Sequence, residues 1–238
     1  MIHNTKFPRG TIYLSGGMQF AKNLGEGWRA KTRNALQDMD YYPLDITFLD
    51  KLYSEKHGIL YDDIINTTDH LQFKSNIRKH FINADLKLIT NDSDAVIVYY
   101  DESAQKGAGT ISEAQVAYLY DIPIFVVSKW KNWKEIMPVW LQSLSTKTFT
   151  EFDDLYSYLN DLPYGILKRD IYGNHSDGEY YLCSLSGEPF KKSKTHFVSQ
   201  VKPLLSKECV EVVKKTNEEH KDRYNFFIEY IQNDINKE

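Results

Sequence analysis

Apolar residues along the chain occur in short runs that alternate with stretches of helical spacing. Residues 95–100 form a continuous apolar run, which is typical of a strand buried on both faces. Residues 111–120 have the spacing of a helix, and residues 124–127 form a second apolar run. Because parallel strands need a crossover of this kind, the three segments predict a right-handed βαβ unit.

The rest of the pattern extends this unit to an α/β fold in which a parallel sheet is flanked by helices. A β-prone run covers residues 11–14, and residues 42–45 form another short extended segment. Residues 50–69 are polar, rich in Tyr, Asp and Asn and only weakly periodic, so we interpret them as a long active-site loop or lid. Helical patterns cover residues 28–39, 71–90 and 152–159.

The composition changes after residues 162–165. Residues 178–190 predict a hairpin, and residues from about 203 to 236 predict a long helix with apolar positions at helical spacing. We therefore divide the chain into an α/β domain at residues 1–162 and a C-terminal extension of unknown role at residues 163–238.

Composition and charge narrow the classes of partner. The 238 residues are 42% hydrophobic, which is enough for a core, and their net charge of −4 gives no electrostatic footprint for polymeric nucleic acid or a membrane surface. No segment approaches the length of a membrane span, and the first residues lack the apolar core of a signal peptide. We therefore expect a cytoplasmic protein.

Cysteines and histidines show no metal-binding motif. The two cysteines, Cys183 and Cys209, exclude a disulfide framework and favour a reducing compartment. Residues 183–187 are similar to half of a zinc knuckle that lacks its second cysteine, so we interpret Cys183 as a packing residue. The seven histidines have none of the spacings of metal ligands, and we expect no metal site.

Two acidic residues, Asp101 and Glu113, are expected near the carboxyl end of the first apolar run, where parallel α/β sheets place their ligand sites. Thr110 and Glu113 also match a capping box, in which both side chains satisfy N–H groups of the first helical turn. The preceding Gly107 and Gly109 favour a functional interpretation, because they let a ligand approach the start of the helix. A carboxylate at that position is able to act as a nucleophile toward a sugar carbon.

The run at residues 11–14 leads into a second candidate loop. Tyr13 lies just before Ser15, Gly16 and Gly17, and its hydroxyl is either a core group or a hydrogen-bond donor to a nearby carboxylate. The short glycine loop that follows the strand is the kind of segment that contacts a ligand.

Three charged residues, Asp85, Asp101 and Arg29, each have a functional and a structural interpretation. Asp85 falls on the apolar stripe of the helix at residues 71–90, so it either faces a partner or cavity, or the helix ends earlier and Asp85 is exposed. Asp101 either ends strand pairing or acts in the site, whereas Asp94, at the opposite edge, is interpreted as a cap. Arg29 is either a solvated helix residue or a clamp on an anionic substrate.

Taken in order, five segments of the chain resemble the nucleoside 2-deoxyribosyltransferase family, which includes relatives that hydrolyse the N-glycosidic bond of nucleoside 5′-monophosphates. The resemblance covers residues 11–158 and depends on the shared order of the segments. They are IYLSGG at 12–17, NADL at 83–86, SDAVIVYYD at 93–101, GTISEA at 109–114 and AYLYDIPI at 117–124.

The resemblance implies a role for several of these residues. Glu113 is the nucleophile that attacks the anomeric carbon, and Tyr13 orients it. Asp85 and Asp101 act on the base, one of them passing a proton to a ring nitrogen. No cofactor is needed, and members commonly assemble as dimers or higher oligomers.

We therefore predict a flavodoxin-like (Rossmann-like) domain that cleaves or transfers the N-glycosidic bond of a (deoxy)nucleoside or its 5′-monophosphate through a covalent glycosyl-Glu intermediate. A phosphate on the substrate favours contacts with Arg29, Ser15 and the loop at residues 107–110. That loop is also similar to the P-G-G-x-G-T-x-x-E signature of cytokinin-type phosphoribohydrolases. A third possibility is a nucleotide-sensing module without turnover, which needs neither Glu113 nor Asp85.

Overall fold

The computed structural model describes residues 9–58, 61–169, 179–191 and 205–219. Its centre is a five-stranded sheet in the order β2-β1-β3-β4-β5, and every neighbouring pair is parallel. This is the strand order of flavodoxin-like doubly wound folds, in which ligands bind at the switch point beside β1 and β3. The strands are β1 (Gly10–Gly16), β2 (Tyr41–Leu44), β3 (Ala95–Tyr100), β4 (Ile124–Ser128) and β5 (Lys147–Phe149).

Helices connect these strands, and the predicted α/β fold is confirmed. In the described residues none is long and apolar enough to cross a membrane. The helices are α1 (Glu26–Asp38), α2 (Ile46–His57), α3 (Tyr61–Ile65), α4 (His70–Ile77), α5 (Asn83–Lys87), α6 (Glu102–Lys106), α7 (Gly109–Leu119), α8 (Trp133–Ile136), α9 (Val139–Leu144), α10 (Phe152–Asp161) and α11 (Lys207–Glu219).

Side chains of the sheet alternate between two apolar layers. Ile12 and Leu14 pack on one side with residues of α1 and α10. Tyr13 packs on the other side with residues of α7 and α9. Because successive side chains of a strand point to opposite faces, Ser15 shares the face of Tyr13 and therefore faces α7.

The interpretation of residues 50–69 as a loop is wrong, because α2 and α3 occupy much of that segment. Asp45 caps α2 by accepting hydrogen bonds from the N–H groups of Thr47 and Phe48. Gly58 ends the helix with a positive φ of 68°. These are ordinary start and stop signals, and they outweigh the weak apolar periodicity between them.

The helix predicted at residues 71–90 extends from α4 through α5, with π-helical turns at Arg78–Ile82 and Leu88–Asp92. Asp85 lies in α5, between the two π turns, so the alternative in which the helix ends before Asp85 is wrong. Single π turns inside helices are often found at functional sites, since they redirect the side chains next to them.

Part of the C-terminal extension packs on the α/β domain. Ile166, Leu167 and Leu182 belong to the same apolar layer as α1 and α10. The predicted hairpin is confirmed by the antiparallel strands β6 (Tyr180–Leu182) and β7 (Pro189–Lys191). Of the predicted long helix, the structure shows α11, and residues 220–236 lie outside the described residues.

Candidate active site

The carboxylate of Glu113, on α7, is held by two side chains of β1. Tyr13 Oη donates to Glu113 Oε1 at 3.2 Å, and Ser15 Oγ donates to Oε2 at 2.5 Å. Glu113 as a whole residue is half-buried, and its carboxyl group lies below the surface among these side chains. A hydrogen-bonded carboxylate at the carboxyl end of β1 has the position that doubly wound folds use for ligand chemistry.

The capping-box alternative for Glu113 is wrong. Helix α7 begins at Gly109, so Thr110 is already inside the helix and buried. The residue at the cap position is Ala108, which provides no side-chain hydrogen bond. The carboxylate of Glu113 is therefore not used to satisfy the start of its own helix.

Two opposing effects act on the pKa of Glu113. Burial raises this pKa above its ordinary value, and the hydrogen bond from Ser15, the charge of Arg29 and the hydrogen bond from Tyr13 offset part of that rise. The hydroxyl of Tyr13 stays protonated, because burial and the neighbouring Glu113 and Asp85 raise its pKa well above the ordinary value. Tyr13 is therefore a stable donor to the carboxylate.

Asp85 is a second carboxyl group of this site, and its surroundings favour the protonated form. Burial raises its pKa to about 8, with further contributions from the negative charges of Glu113 and Asp50. Its Oδ1 atom is buried and has no hydrogen-bond partner among the described residues. Two coupled carboxyls whose surroundings differ in this way are suited to opposite roles, one as an acid and one as a nucleophile.

Asp50, on α2, is a third acidic group that the sequence reasoning missed. Burial raises its pKa to about 6, and its Oδ2 atom is also buried without a partner. The signal that could have found it is the cap at Asp45, because a helix that begins there carries Asp50 into its second turn. Because residues 50–69 were interpreted as a loop, the helical position of Asp50 was not predicted.

Arg29 does not have the geometry expected for a clamp on an anionic substrate. It is 1% exposed, and its guanidinium donates to four backbone carbonyls around the loop that follows β1. The acceptors are the carbonyl oxygens of Leu14 at 3.3 Å, Gly16 at 2.8 Å, Leu24 at 3.0 Å and Gly25 at 3.4 Å. These bonds fix the shape of the loop. The positive charge of Arg29 also lowers the pKa of Glu113.

The predicted glycine contacts divide into two groups. Gly16 and Gly17 sit where a side chain has no room, since a Cβ atom would lie 2.7 Å from the Trp28 ring and 2.1 Å from Ser103 Oγ, respectively. Gly109, in contrast, has nothing within 4 Å of its Cβ position. Gly107 meets only the Ser103 carbonyl oxygen at 3.8 Å. Close packing therefore requires glycine at positions 16 and 17, whereas positions 107 and 109 leave room for a ligand.

Asp101 caps α6. Its Oδ1 atom accepts hydrogen bonds from the N–H groups of Ser103 at 2.9 Å and Ala104 at 3.0 Å, and from Ser103 Oγ at 2.5 Å. One carboxylate oxygen of Asp101 is therefore used by the start of its own helix. At the opposite edge Asp94 has a structural position as well, accepting at 2.7 Å from the N–H groups of both Thr11 and Arg169.

Comparisons with known proteins give a distant structural likeness. No protein-family model matches the sequence, and no curated protein matches it either. Among solved structures, the chain is similar to a 2-deoxyribosyltransferase from the psychrotolerant bacterium Bacillus psychrosaccharolyticus, with 14% identity and a TM-score of 0.45. The similarity covers 66% of this chain and 95% of that one. A likeness at this level gives no residue of this chain a role.

Proposed function

We propose that this protein cleaves or transfers the N-glycosidic bond of a nucleoside through a covalent ester between the sugar and Glu113. The observation that carries the proposal is the pair of carboxyls, Glu113 and Asp85. Burial raises the pKa of both carboxyls, but at Glu113 the hydrogen bonds from Ser15 and Tyr13 offset part of the rise, whereas at Asp85 the negative charges of Glu113 and Asp50 add to it. Glycoside cleavage with a covalent intermediate needs such a pair.

In the first half-reaction, Asp85 donates its proton to a ring nitrogen of the base. The bond between the base and the anomeric carbon breaks, and its electron pair goes to the base. A carboxylate oxygen of Glu113 forms a bond to the anomeric carbon, while Tyr13 remains hydrogen-bonded to the carboxyl group. The products of this step are the free base and a glycosyl ester on Glu113.

In the second half-reaction, a nitrogen of another base or the oxygen of water attacks the same carbon. The ester bond breaks and its electron pair returns to Glu113. The ionised Asp85 takes the proton that the acceptor loses, which restores both carboxyls to their starting states. The same site therefore supports transfer or hydrolysis according to the acceptor.

The charges around the site favour an uncharged nucleoside over its 5′-monophosphate. Three acidic side chains, Asp50, Asp85 and Glu113, interact electrostatically there. Arg29 is engaged by backbone carbonyls. A phosphate dianion is repelled by the ionised carboxylates of Glu113 and Asp50 and finds no free guanidinium at Arg29.

The decisive experiment incubates the protein with ribonucleosides, deoxyribonucleosides and their 5′-monophosphates, with and without a free acceptor base. Chromatography then measures base release and base exchange. We expect turnover that scales with enzyme concentration and is greater for nucleosides than for their monophosphates. A preference for ribonucleoside monophosphates supports the phosphoribohydrolase alternative, and binding without any turnover supports a sensing module.

The covalent step is tested separately with a 2′-fluoro-2′-deoxynucleoside, whose electron-withdrawing fluorine slows breakdown of the ester. Intact-protein mass spectrometry should show one added glycosyl group, and peptide mapping should locate it at Glu113. Glu113→Gln should lose the adduct, whereas Glu211→Gln, which changes an exposed carboxylate on α11, should keep it. An adduct that survives in Glu113→Gln contradicts the proposed nucleophile.

A further inference from the structure

Two buried carboxyl oxygens of the candidate active site have no hydrogen-bond partner among the described residues. They are Oδ2 of Asp50, on α2, and Oδ1 of Asp85, on α5. A buried polar atom that lacks a partner is costly, so its presence in a folded protein calls for an explanation. The proposed reaction gives one for Asp85, which protonates the base, but it does not use Asp50.

The helices that carry these two carboxyls face each other. At one end of the contact, Leu49 and Leu88 pack against the same apolar layer, the one that contains Tyr13. At the other end, the ring of Tyr53 lies 6.2 Å from the ring of His80, measured between centroids. Two separate contacts therefore fix α2 beside the helical stretch that runs from the first π turn through α5.

Asp50 and Asp85 both lie between these two contacts. Asp50 is three positions before Tyr53, which places both on one face of α2. Asp85 is five positions after His80, and the hydrogen bonds of the π turn at Arg78–Ile82 join residues five apart, so both lie on one side of that stretch. The two carboxyls therefore face the same space between the helices.

Near neutral pH the two carboxyls favour different protonation states. Burial raises the pKa of Asp85 to about 8, with further contributions from the charges of Glu113 and Asp50. Burial raises the pKa of Asp50 only to about 6. Asp85 is therefore able to donate an O–H, whereas ionised Asp50 only accepts hydrogen bonds. A donor beside an acceptor complements a molecular edge on which an acceptor lies beside a donor.

Bases with an amino group next to a ring nitrogen have such an edge. In adenine, N7 accepts a hydrogen bond and the neighbouring 6-amino group donates one. Cytosine has the same pair at N3 and its 4-amino group. In guanine and hypoxanthine, the neighbour of N7 is a carbonyl oxygen, which meets the carboxylate of Asp50 as one acceptor facing another.

We propose that Asp50 determines specificity for the base by accepting a hydrogen bond from its exocyclic amino group, while Asp85 donates to the ring nitrogen beside that group. The substrates are then nucleosides of 6-aminopurines and 4-aminopyrimidines. This inference rests on the proposed function, because Asp85 acts there as the acid. It explains the unpartnered oxygen of Asp50, which protonation of the base by Asp85 does not explain.

The test compares nucleosides that differ at the exocyclic group, 2′-deoxyadenosine with 2′-deoxyinosine and 2′-deoxycytidine with 2′-deoxyuridine. In wild type, kcat/KM should be at least tenfold higher for the amino member of each pair. Asp50→Asn replaces one acceptor oxygen by an N–H donor, so it should move this ratio at least tenfold toward the carbonyl member. Glu55→Gln, an exposed carboxylate on the same helix, should keep the wild-type ratio. Comparing ratios between proteins cancels the intrinsic reactivity of each nucleoside.

A second measurement uses wild type alone, so it does not depend on folding of the variant. As the pH falls below about 6, Asp50 becomes protonated and is able to donate to a carbonyl oxygen, so the preference for the amino member should shrink. A preference that is constant across this range contradicts the role of Asp50.

Binding of free adenine and free hypoxanthine, measured by calorimetry, separates this inference from the proposed function. Wild type should bind adenine at least tenfold more tightly, and Asp50→Asn should lose that difference. Turnover without any preference that depends on Asp50 overturns the inference and leaves the proposed function in place. Selective binding of adenine without turnover contradicts the proposed function and supports the recognition of the amino group by Asp50.

Discussion

The hydroxyl of Tyr13 donates to the carboxylate of Glu113 at 3.2 Å across a sequence separation of 100 residues. Strand β1 makes the contact possible, because the side-chain repeat of two places Tyr13 and Ser15 on the face against which α7 packs. The second donor, Ser15, binds the other carboxylate oxygen at 2.5 Å. The carboxylate is thus fixed at both oxygens by groups from a rigid strand.

Tyr13→Phe should lower kcat about 10- to 100-fold with little effect on folding, because it removes one donor that orients and stabilises the ionised carboxylate. Since that hydrogen bond lowers the pKa of Glu113, its loss raises the pKa. The acidic limb of the profile of kcat/KM against pH should therefore move to higher pH. Tyr41→Phe is the matched control, because the Tyr41 hydroxyl is also buried but donates to the Leu159 carbonyl in the other layer. An equal loss of rate in both variants contradicts the role of Tyr13.

Activity should decline as the pH rises above about 8, because Asp85 must be protonated to donate and its pKa is raised to about 8. Asp85→Asn should remove this alkaline limb and lower the rate about 10²- to 10⁴-fold at neutral pH. A substrate with an activated leaving group needs no protonation, so its cleavage should be nearly unchanged in Asp85→Asn. Equal losses for activated and natural substrates show that Asp85 is not the acid.

Asp50→Asn should move the alkaline limb to lower pH. The charge of Asp50 raises the pKa of Asp85, so removing that charge lowers it. The pKa of Asp50 is itself raised to about 6, so wild type and variant should converge below that pH, where Asp50 is already uncharged. Glu55→Gln, an exposed carboxylate on the same helix, should leave the profile in place. Profiles that differ equally at all pH values contradict the electrostatic coupling.

The strands of the central sheet were easier to predict from the sequence than the roles of the site residues. Continuous apolar runs such as residues 95–100 predicted the buried strands, because a short unbroken run rich in β-branched and aromatic residues is typical of a strand buried on both faces. Glu113 and Tyr13 were both predicted, and their contact is confirmed. The short strand β5 was missed, because its three residues carry too little periodicity to separate it from a loop.

Roles that depend on three-dimensional neighbours were harder to predict. Arg29 has the same local sequence whether it is solvated, bound to a substrate or buried under backbone carbonyls, and only the path of residues 16–25 decides between them. Asp101 is similar, since the start of α6 depends on the loop that follows β3.

Arg29→Ala should lower the free energy of unfolding by at least about 3 kcal/mol, because it leaves several buried carbonyls without donors. Arg29→Lys should recover little, since an ammonium group cannot span the carbonyls that the planar guanidinium reaches. Lys31→Ala is the control on the same helix and should cost about 1 kcal/mol or less, because Lys31 is exposed. Urea unfolding measures all three. A stable Arg29→Lys variant with a raised KM for 5′-monophosphates instead supports a substrate clamp.

Gly17→Ala should destabilise the protein by about 1–3 kcal/mol, because its Cβ would lie 2.6 Å from the backbone nitrogen of Ala104, which cannot move without shifting α6. Gly109→Ala should instead be neutral or stabilising by up to about 1 kcal/mol, since nothing lies within 4 Å of its Cβ position. Gly27→Ala, in α1, has the same open surroundings and is the matched control. If the nucleoside approaches the start of α7, Gly109→Ala should raise KM while Gly27→Ala should not. Equal KM values in Gly109→Ala and Gly27→Ala place the substrate away from Gly109. A Gly17→Ala variant as stable as wild type contradicts the close packing of the loop on α6.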